Sequence, residues 1–190
     1  MGMKATLCAA LLAGGKSRRM GRDKAMLDWE GKPLWEHQMQ TLLEVGPDEM
    51  MISGREDGPW AGKGHRVVQD RVLASGPIAG LAAVLAATRC QFVLAIAVDM
   101  PGLTSVYLEQ LVSSCMDGRG VVPQIGGSYE PMAAIYPKAS STIAESLLSD
   151  NMLSLQNFVD CCISAGLLVP VAVDASTESL FRNLNTPGDL

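Results

Sequence analysis

Residues 5–12 form an apolar run that breaks off at Gly14-Gly15, and residues 91–98 form a second that ends at Asp99-Met100-Pro101. A strand with one wet face alternates polar and apolar side chains. A strand that is apolar at successive positions is buried on both faces, which is the habit of parallel sheets covered by helices. Two such strands in a chain of 190 residues point to one α/β domain over residues 1–190.

The intervening pattern fits. Pro33 and Leu34 open a helical stretch in which Trp35, Met39, Leu42 and Leu43 share one face, and Gly46-Pro47 ends it. Residues 49–53 and 66–69 read as short strands, separated by a polar glycine-rich loop over 54–64. Pro77 sits at a first helical position, and residues 78–88 are apolar nearly all round, as in a well-buried helix. Thr104 is a candidate N-cap for a helix over 105–116. Residues 121–124 and 131–136 are strand-like and flank a hairpin turn at Ile125-Gly126-Gly127-Ser128. Helices over 139–148 and 152–165 and a last strand over 168–173 complete a doubly wound, mixed sheet.

Composition narrows the function classes. The formal net charge is −5, which disfavours nucleic acid as a partner. The apolar N-terminal run is too short to span a membrane and carries no basic leader or cleavage site, so the expected location is the cytoplasm, with no membrane partner. Five scattered cysteines without a Cys-x-x-Cys imply reduced, mostly buried thiols. The two histidines, His37 and His65, have no Ser or Cys partner in a recognisable motif, so a Ser-His-Asp hydrolase is not expected. Met50-Met51 and Trp35 read as core. Trp60 and Glu130 leave two readings open: packing or ligand cover for Trp60, solvated turn or substrate contact for Glu130.

Against the acidic whole stands one basic segment. Five of the fifteen Lys and Arg residues fall within residues 16–24, directly after Gly14-Gly15. Bare backbone N–H groups beside clustered cations suit a polyphosphate. The segment is neither a P-loop nor a Gly-x-Gly-x-x-Gly fingerprint. In doubly wound sheets ligands collect beyond the carboxyl ends of the strands, where strand order reverses. The basic loop, Asp70 and Asp99 each follow a predicted strand end, so parallel strands bring all three to one crevice. Asp99 reads either as a loop cap or as a ligand of Mg²⁺, which prefers one or two carboxylates plus phosphate oxygens and water. Together these are parts for phosphoryl or nucleotidyl transfer.

The residues Leu12-Ala13-Gly14-Gly15-Lys16-Ser17-Arg18-Arg19-Met20-Gly21-Arg22-Asp23-Lys24-Ala25 resemble the signature of the molybdenum cofactor guanylyltransferases, the MobA-like nucleotidyltransferases. The resemblance continues through Gly31-Lys32-Pro33-Leu34, Gly76-Pro77-Ile78-Ala79-Gly80, Asp99-Met100-Pro101, Glu130-Pro131 and Asn183-Leu184-Asn185-Thr186-Pro187. It implies a three-layer α/β/α Rossmann-like nucleotidyltransferase fold with a mostly parallel mixed sheet. It implies GTP and molybdopterin-bound molybdenum as substrates, Mg²⁺ as cofactor, and other cofactor-maturation proteins and molybdoenzymes as further partners. By the same resemblance, Leu12, Ala13 and Gly14 line the guanine and ribose side, and Gly15 and Arg19 the phosphate loop. Lys24 neutralises the triphosphate, Asp70 contacts the nucleotide, Asp99 holds Mg²⁺, and Asn183 and Asn185 lie on the pterin side. Arg19, Lys24 and Asp99 are the residues it makes catalytic.

Two departures stand out: Ile52-Ser53-Gly54 replaces a family Asn at the end of the second strand, and the chain stops at Leu190, early in the family's last helix. The related cytidylyltransferases usually have Ala-Ala-Gly where this chain has Ala13-Gly14-Gly15, and lack Gly76-Pro77-Ile78-Ala79-Gly80, which favours guanine. The alternatives are cytidylyl transfer to the same acceptor, a sugar-phosphate nucleotidyltransferase, and a nucleotide-binding regulator without turnover.

Overall fold

The computed structural model describes residues 5–14, 23–69 and 76–184. Its strands are β1 (Leu7–Leu12), β2 (Asp28–Trp29), β3 (Lys32–Pro33), β4 (Glu49–Ser53), β5 (Arg66–Val68), β6 (Phe92–Ala97), β7 (Gly120–Ile125), β8 (Ser128–Tyr129), β9 (Ala133–Pro137) and β10 (Leu168–Ala172). Its helices are α1 (Leu34–Glu44), α2 (Gly76–Ala87), α3 (Ser105–Ser113), α4 (Ser141–Ser149) and α5 (Leu155–Ser164).

The main sheet runs β10-β7-β9-β6-β1-β4-β5, with β8 hydrogen-bonded to β7. β1 pairs in parallel with both β4 and β6, while β9 lies antiparallel to both β6 and β7. The chain winds outward from β1 to β5, then returns to place β6 on the other side of β1. Strand order therefore reverses between β1 and β6.

The alternation along β1 separates two cores. Ala9 and Leu11 face Trp35, Met39 and Leu42 of α1 and Leu108 and Leu111 of α3. Cys8, Ala10 and Leu12 face Ile78, Leu81 and Leu85 of α2, with Ala144 of α4 and Phe158 of α5 beyond. Sheet faces and helices thus make three layers, α/β/α, as the sequence implies. Helix α2 approaches β4 closely at Gly80, where a Cβ would meet Ser53 Oγ at 2.5 Å.

Several expectations need correction. The strand over 131–136 does not follow the hairpin turn directly. Gly126 and Gly127, at φ 54° and 88°, turn the chain back into the two residues of β8. Pro131, with no N–H to give the ladder, then separates β8 from β9. Helix α3 ends at Ser113 rather than 116, because Asp117 and Gly118 adopt positive φ and close a turn bridged by Met116 and Arg119. Pro33 does not open α1; it ends β3 with ψ 137°, outside the helix. Helix α5 starts at Leu155 rather than 152, where Ser154 Oγ caps it by accepting from Asn157 N at 3.3 Å. The β2–β3 hairpin is an element the sequence reading lacks.

The aromatic and sulfur residues resolve toward packing. Trp60 is buried, donates from Nε1 to the Arg55 carbonyl at 2.8 Å and stands edge-on to Trp35. All five cysteines are free thiols. Burial pushes Cys8 up to about 12 and Cys162 up to about 11. Among the described residues, no helix is long and apolar enough to cross a membrane.

Candidate active site

Backbone hydrogen bonds extend the parallel ladder past the carboxyl ends of the strands. Val98 N donates to Leu12 O at 3.2 Å, Ala13 N to Ser53 O at 2.9 Å, and Gly54 N to Val68 O at 3.1 Å. The tips of β6, β1, β4 and β5 therefore stand in a row. Leu12 is buried, Ala13 half-buried and Gly14 exposed at this rim.

Lys24 reaches the same rim from the other end of the basic segment. It begins a single 3₁₀ turn, Lys24–Met26, in which Asp23 Oδ1 accepts from Ala25 N at 3.1 Å. Ala25 is buried in the core, and Leu34 N bonds to Leu27 O at 2.8 Å, so the turn is fastened to α1. Lys24 Nζ lies 3.0 Å from Asp99 Oδ2, both side chains about one-quarter exposed (21% and 24%). A cation from the first loop and a carboxylate from the end of β6 thus meet across the reversal point, 75 residues apart in sequence.

Three further segments converge on the Asp99 loop. Leu184 N donates to Asp99 O at 2.8 Å, which brings exposed Asn183 to this end of the sheet. Ala97 N donates to Met132 O at 2.8 Å, so the Glu130-Pro131 crossing passes the end of β6. Glu130 is half-buried, and that burial raises its carboxyl above the usual range. From below, α1 offers Gln38 and His37. Gln38 Nε2 donates to Ala97 O at 3.2 Å and Met100 O at 2.7 Å. His37 Nε2 lies 3.2 Å from Pro101 O.

Of the residues expected at the site, Lys24 and Asp99 meet, and Leu12, Ala13, Gly14 and Asn183 lie along the same edge. Gly15, Arg19, Asp70 and Asn185 lie outside the described residues. Gln38 and His37 carry no site role in the sequence reading. A signal for Gln38 existed: it falls at i+3 from Trp35 and i−4 from Leu42, a polar residue inside an apolar helical stripe.

Among the described residues, no group of three or more His, Cys, Asp or Glu side chains could cage a metal. A cation at Asp99 would share that carboxylate with ligand oxygens and water. That matches the coordination habit of Mg²⁺ on a nucleotide, and Asp99 is the group that fits.

Comparison with known proteins agrees with this geometry. A sequence model described as the MobA-like NTP transferase domain matches residues 9–160. A protein of Opitutus terrae named "Probable molybdenum cofactor guanylyltransferase" is 34% identical over 186 residues, covering 96% of this chain and 92% of that one. A Pseudomonas putida protein named molybdenum cofactor guanylyltransferase is 31% identical over 77% of this chain and 78% of its own length. The crystal structure of molybdopterin-guanine dinucleotide biosynthesis protein A from Archaeoglobus fulgidus shares the fold, with a TM-score of 0.74 at 24% identity over 96% of this chain and 94% of that one.

Proposed function

The chain belongs to the MobA-like NTP transferase family, and from that premise we propose that it transfers GMP from GTP to molybdopterin-bound molybdenum, releasing pyrophosphate. The observation that carries this reading is the Lys24–Asp99 pair at 3.0 Å, set at the reversal between β1 and β6, where doubly wound sheets bind their ligands.

The nucleotide base and ribose lie against Leu12, Ala13 and Gly14, whose main chain is held by the ladder extension from Ser53. The triphosphate lies along the basic segment with Gly15 and Arg19, and Asp70 contacts the nucleotide. Asn183 and Asn185 face the pterin. The acceptor's phosphate monoester needs no general base, because its second pKa is about 6 and it is mostly ionised near pH 7. Its oxygen attacks the α-phosphorus in line. The new P–O bond forms as the bond to the β-phosphate bridge breaks, and the electron pair leaves on pyrophosphate. Lys24 neutralises the charge that accumulates there. Asp99 would hold Mg²⁺, whose contribution is Lewis-acid charge stabilisation on the phosphate oxygens.

The test is purified protein with Mg²⁺, molybdopterin-bound molybdenum and each of the four nucleoside triphosphates, scored for pyrophosphate. Release with GTP alone supports the reading. Release with CTP instead overturns the base assignment, and tight GTP binding without release overturns the catalytic role.

A further inference from the structure

Gln38 is fully buried. Its amide nitrogen donates to the carbonyls of Ala97 and Met100, which bracket Val98 and Asp99. Carbonyl oxygens only accept, so the amide must face them with its nitrogen; the flipped orientation would set three oxygens against one another. Both donors are then directed into the Asp99 loop, and Oε1 is left buried without a partner. An unsatisfied buried acceptor is costly, and an apolar side chain of the same size would avoid it. The neighbouring His37 Nε2 bonds the next carbonyl, Pro101 O, which fixes that nitrogen as the protonated one. Pro101 has no N–H to give, and within the loop the contact to these carbonyls is Leu103 N, which shares Met100 O with Gln38 at 3.3 Å. Helix α1 therefore supplies, from two consecutive residues, donors for three carbonyls of residues 97–101.

We propose that Gln38, assisted by His37, is a positioning residue for the Asp99 carboxylate: it clamps the backbone on both sides of Asp99, so that the carboxylate is held beside Lys24 at the β1–β6 reversal, where it would meet a nucleotide-bound divalent cation. This rests on the nucleotidyltransferase reading above. Gln38 touches neither nucleotide nor cation and acts only through the loop. Outer groups that orient a metal ligand typically change metal affinity or activity by about 10–100-fold when removed.

The test uses Mn²⁺ as a spectroscopic probe, with its free concentration read by electron paramagnetic resonance in the presence of saturating GTP. Gln38→Met keeps the volume and removes both donors. The expected result is Mn²⁺ affinity weakened by about 10–100-fold, GTP affinity without metal unchanged, and cooperative unfolding retained. A purely packing role would instead lower both affinities together. A folded Gln38→Met protein that binds Mn²⁺ within about threefold of the parent overturns the proposal. Should that variant not fold, His37→Phe takes its place. It keeps the edge contact with Trp29 and removes the bond to Pro101. Weaker Mn²⁺ binding in His37→Phe supports the clamp, and unchanged binding overturns it. A parent protein that does not bind Mn²⁺ with GTP defeats the nucleotidyltransferase reading itself, a result separable from a variant that matches a binding-competent parent.

Discussion

Gly80→Ala tests how α2 sets the strand ends proposed to carry the nucleotide. A Cβ at residue 80 would meet Ser53 Oγ at 2.5 Å and Ser53 Cβ at 3.6 Å. Only the first distance is a clash. Ser53 is 2% exposed, so its hydroxyl has little room to swing away. Alanine in a helix interior gains about 1 kcal/mol over glycine, while overpacking a tight contact costs about 1–3 kcal/mol. The single variant should therefore lose about 0–2 kcal/mol of unfolding free energy. In a Ser53→Ala background the oxygen is gone, 3.6 Å is ordinary contact, and the same change should gain about 1 kcal/mol. Urea unfolding of the four proteins closes the cycle, with an expected coupling of about 1–3 kcal/mol. Because Ser53 O accepts from Ala13 N at 2.9 Å, the strained variant should also bind GTP more weakly and the double variant should recover. If Gly80→Ala stabilises both backgrounds equally, the hydroxyl gives way freely and the close approach constrains nothing.

The remaining predictions concern charge. Asp99→Asn and Lys24→Ala should each lower turnover by about 10²-fold or more while changing unfolding free energy by about 1 kcal/mol or less, since the pair is only partly buried. Turnover within tenfold of the parent in both would remove the pair from the reaction. Glu130 has a folded pKa raised by burial, so between its unfolded and folded pKa the native state binds the extra proton. Its contribution then falls as pH rises through that window. Glu130→Gln should accordingly stabilise the protein at neutral pH, with the difference from the parent vanishing in acid. Denaturation midpoints across pH read this directly, and a constant difference at every pH would refute it.

What could be read in the sequence follows from what each element buries. β1 and β6 show plainly because both faces are covered: Cys8 to Leu11 and Val93 to Ile96 are fully buried, so every position must be apolar. The carboxyl ends of those strands are legible for the same reason, since burial stops at a definable residue and the next polar side chain must emerge. Asp99 is read in this way, whereas Lys24 is read from the basic segment and the family resemblance; the fold joins the two at 3.0 Å. β2 and β3 were not legible: two residues each bury little, and their turn uses Glu30 at φ 53°, an unusual residue for that conformation. β8 was hidden likewise, because its two residues carry no period at all.

The grip of α1 on the Asp99 loop failed to show for a different reason. Gln38 bonds to carbonyls 59 and 62 residues away, and a carbonyl belongs to every residue type, so nothing at positions 97 or 100 announces the partner. The same holds for Ala13 on Ser53 and for Leu184 on Asp99, both main-chain to main-chain. The catalytic candidates are thus encoded by side-chain identity, while their placement is encoded by backbone contacts that side-chain identity does not record. The exception is a polar residue kept where the helix period demands an apolar one. Gln38 occupies such a position, and the energetic cost of its unpaired oxygen is what makes a backbone function the sufficient explanation for finding it there.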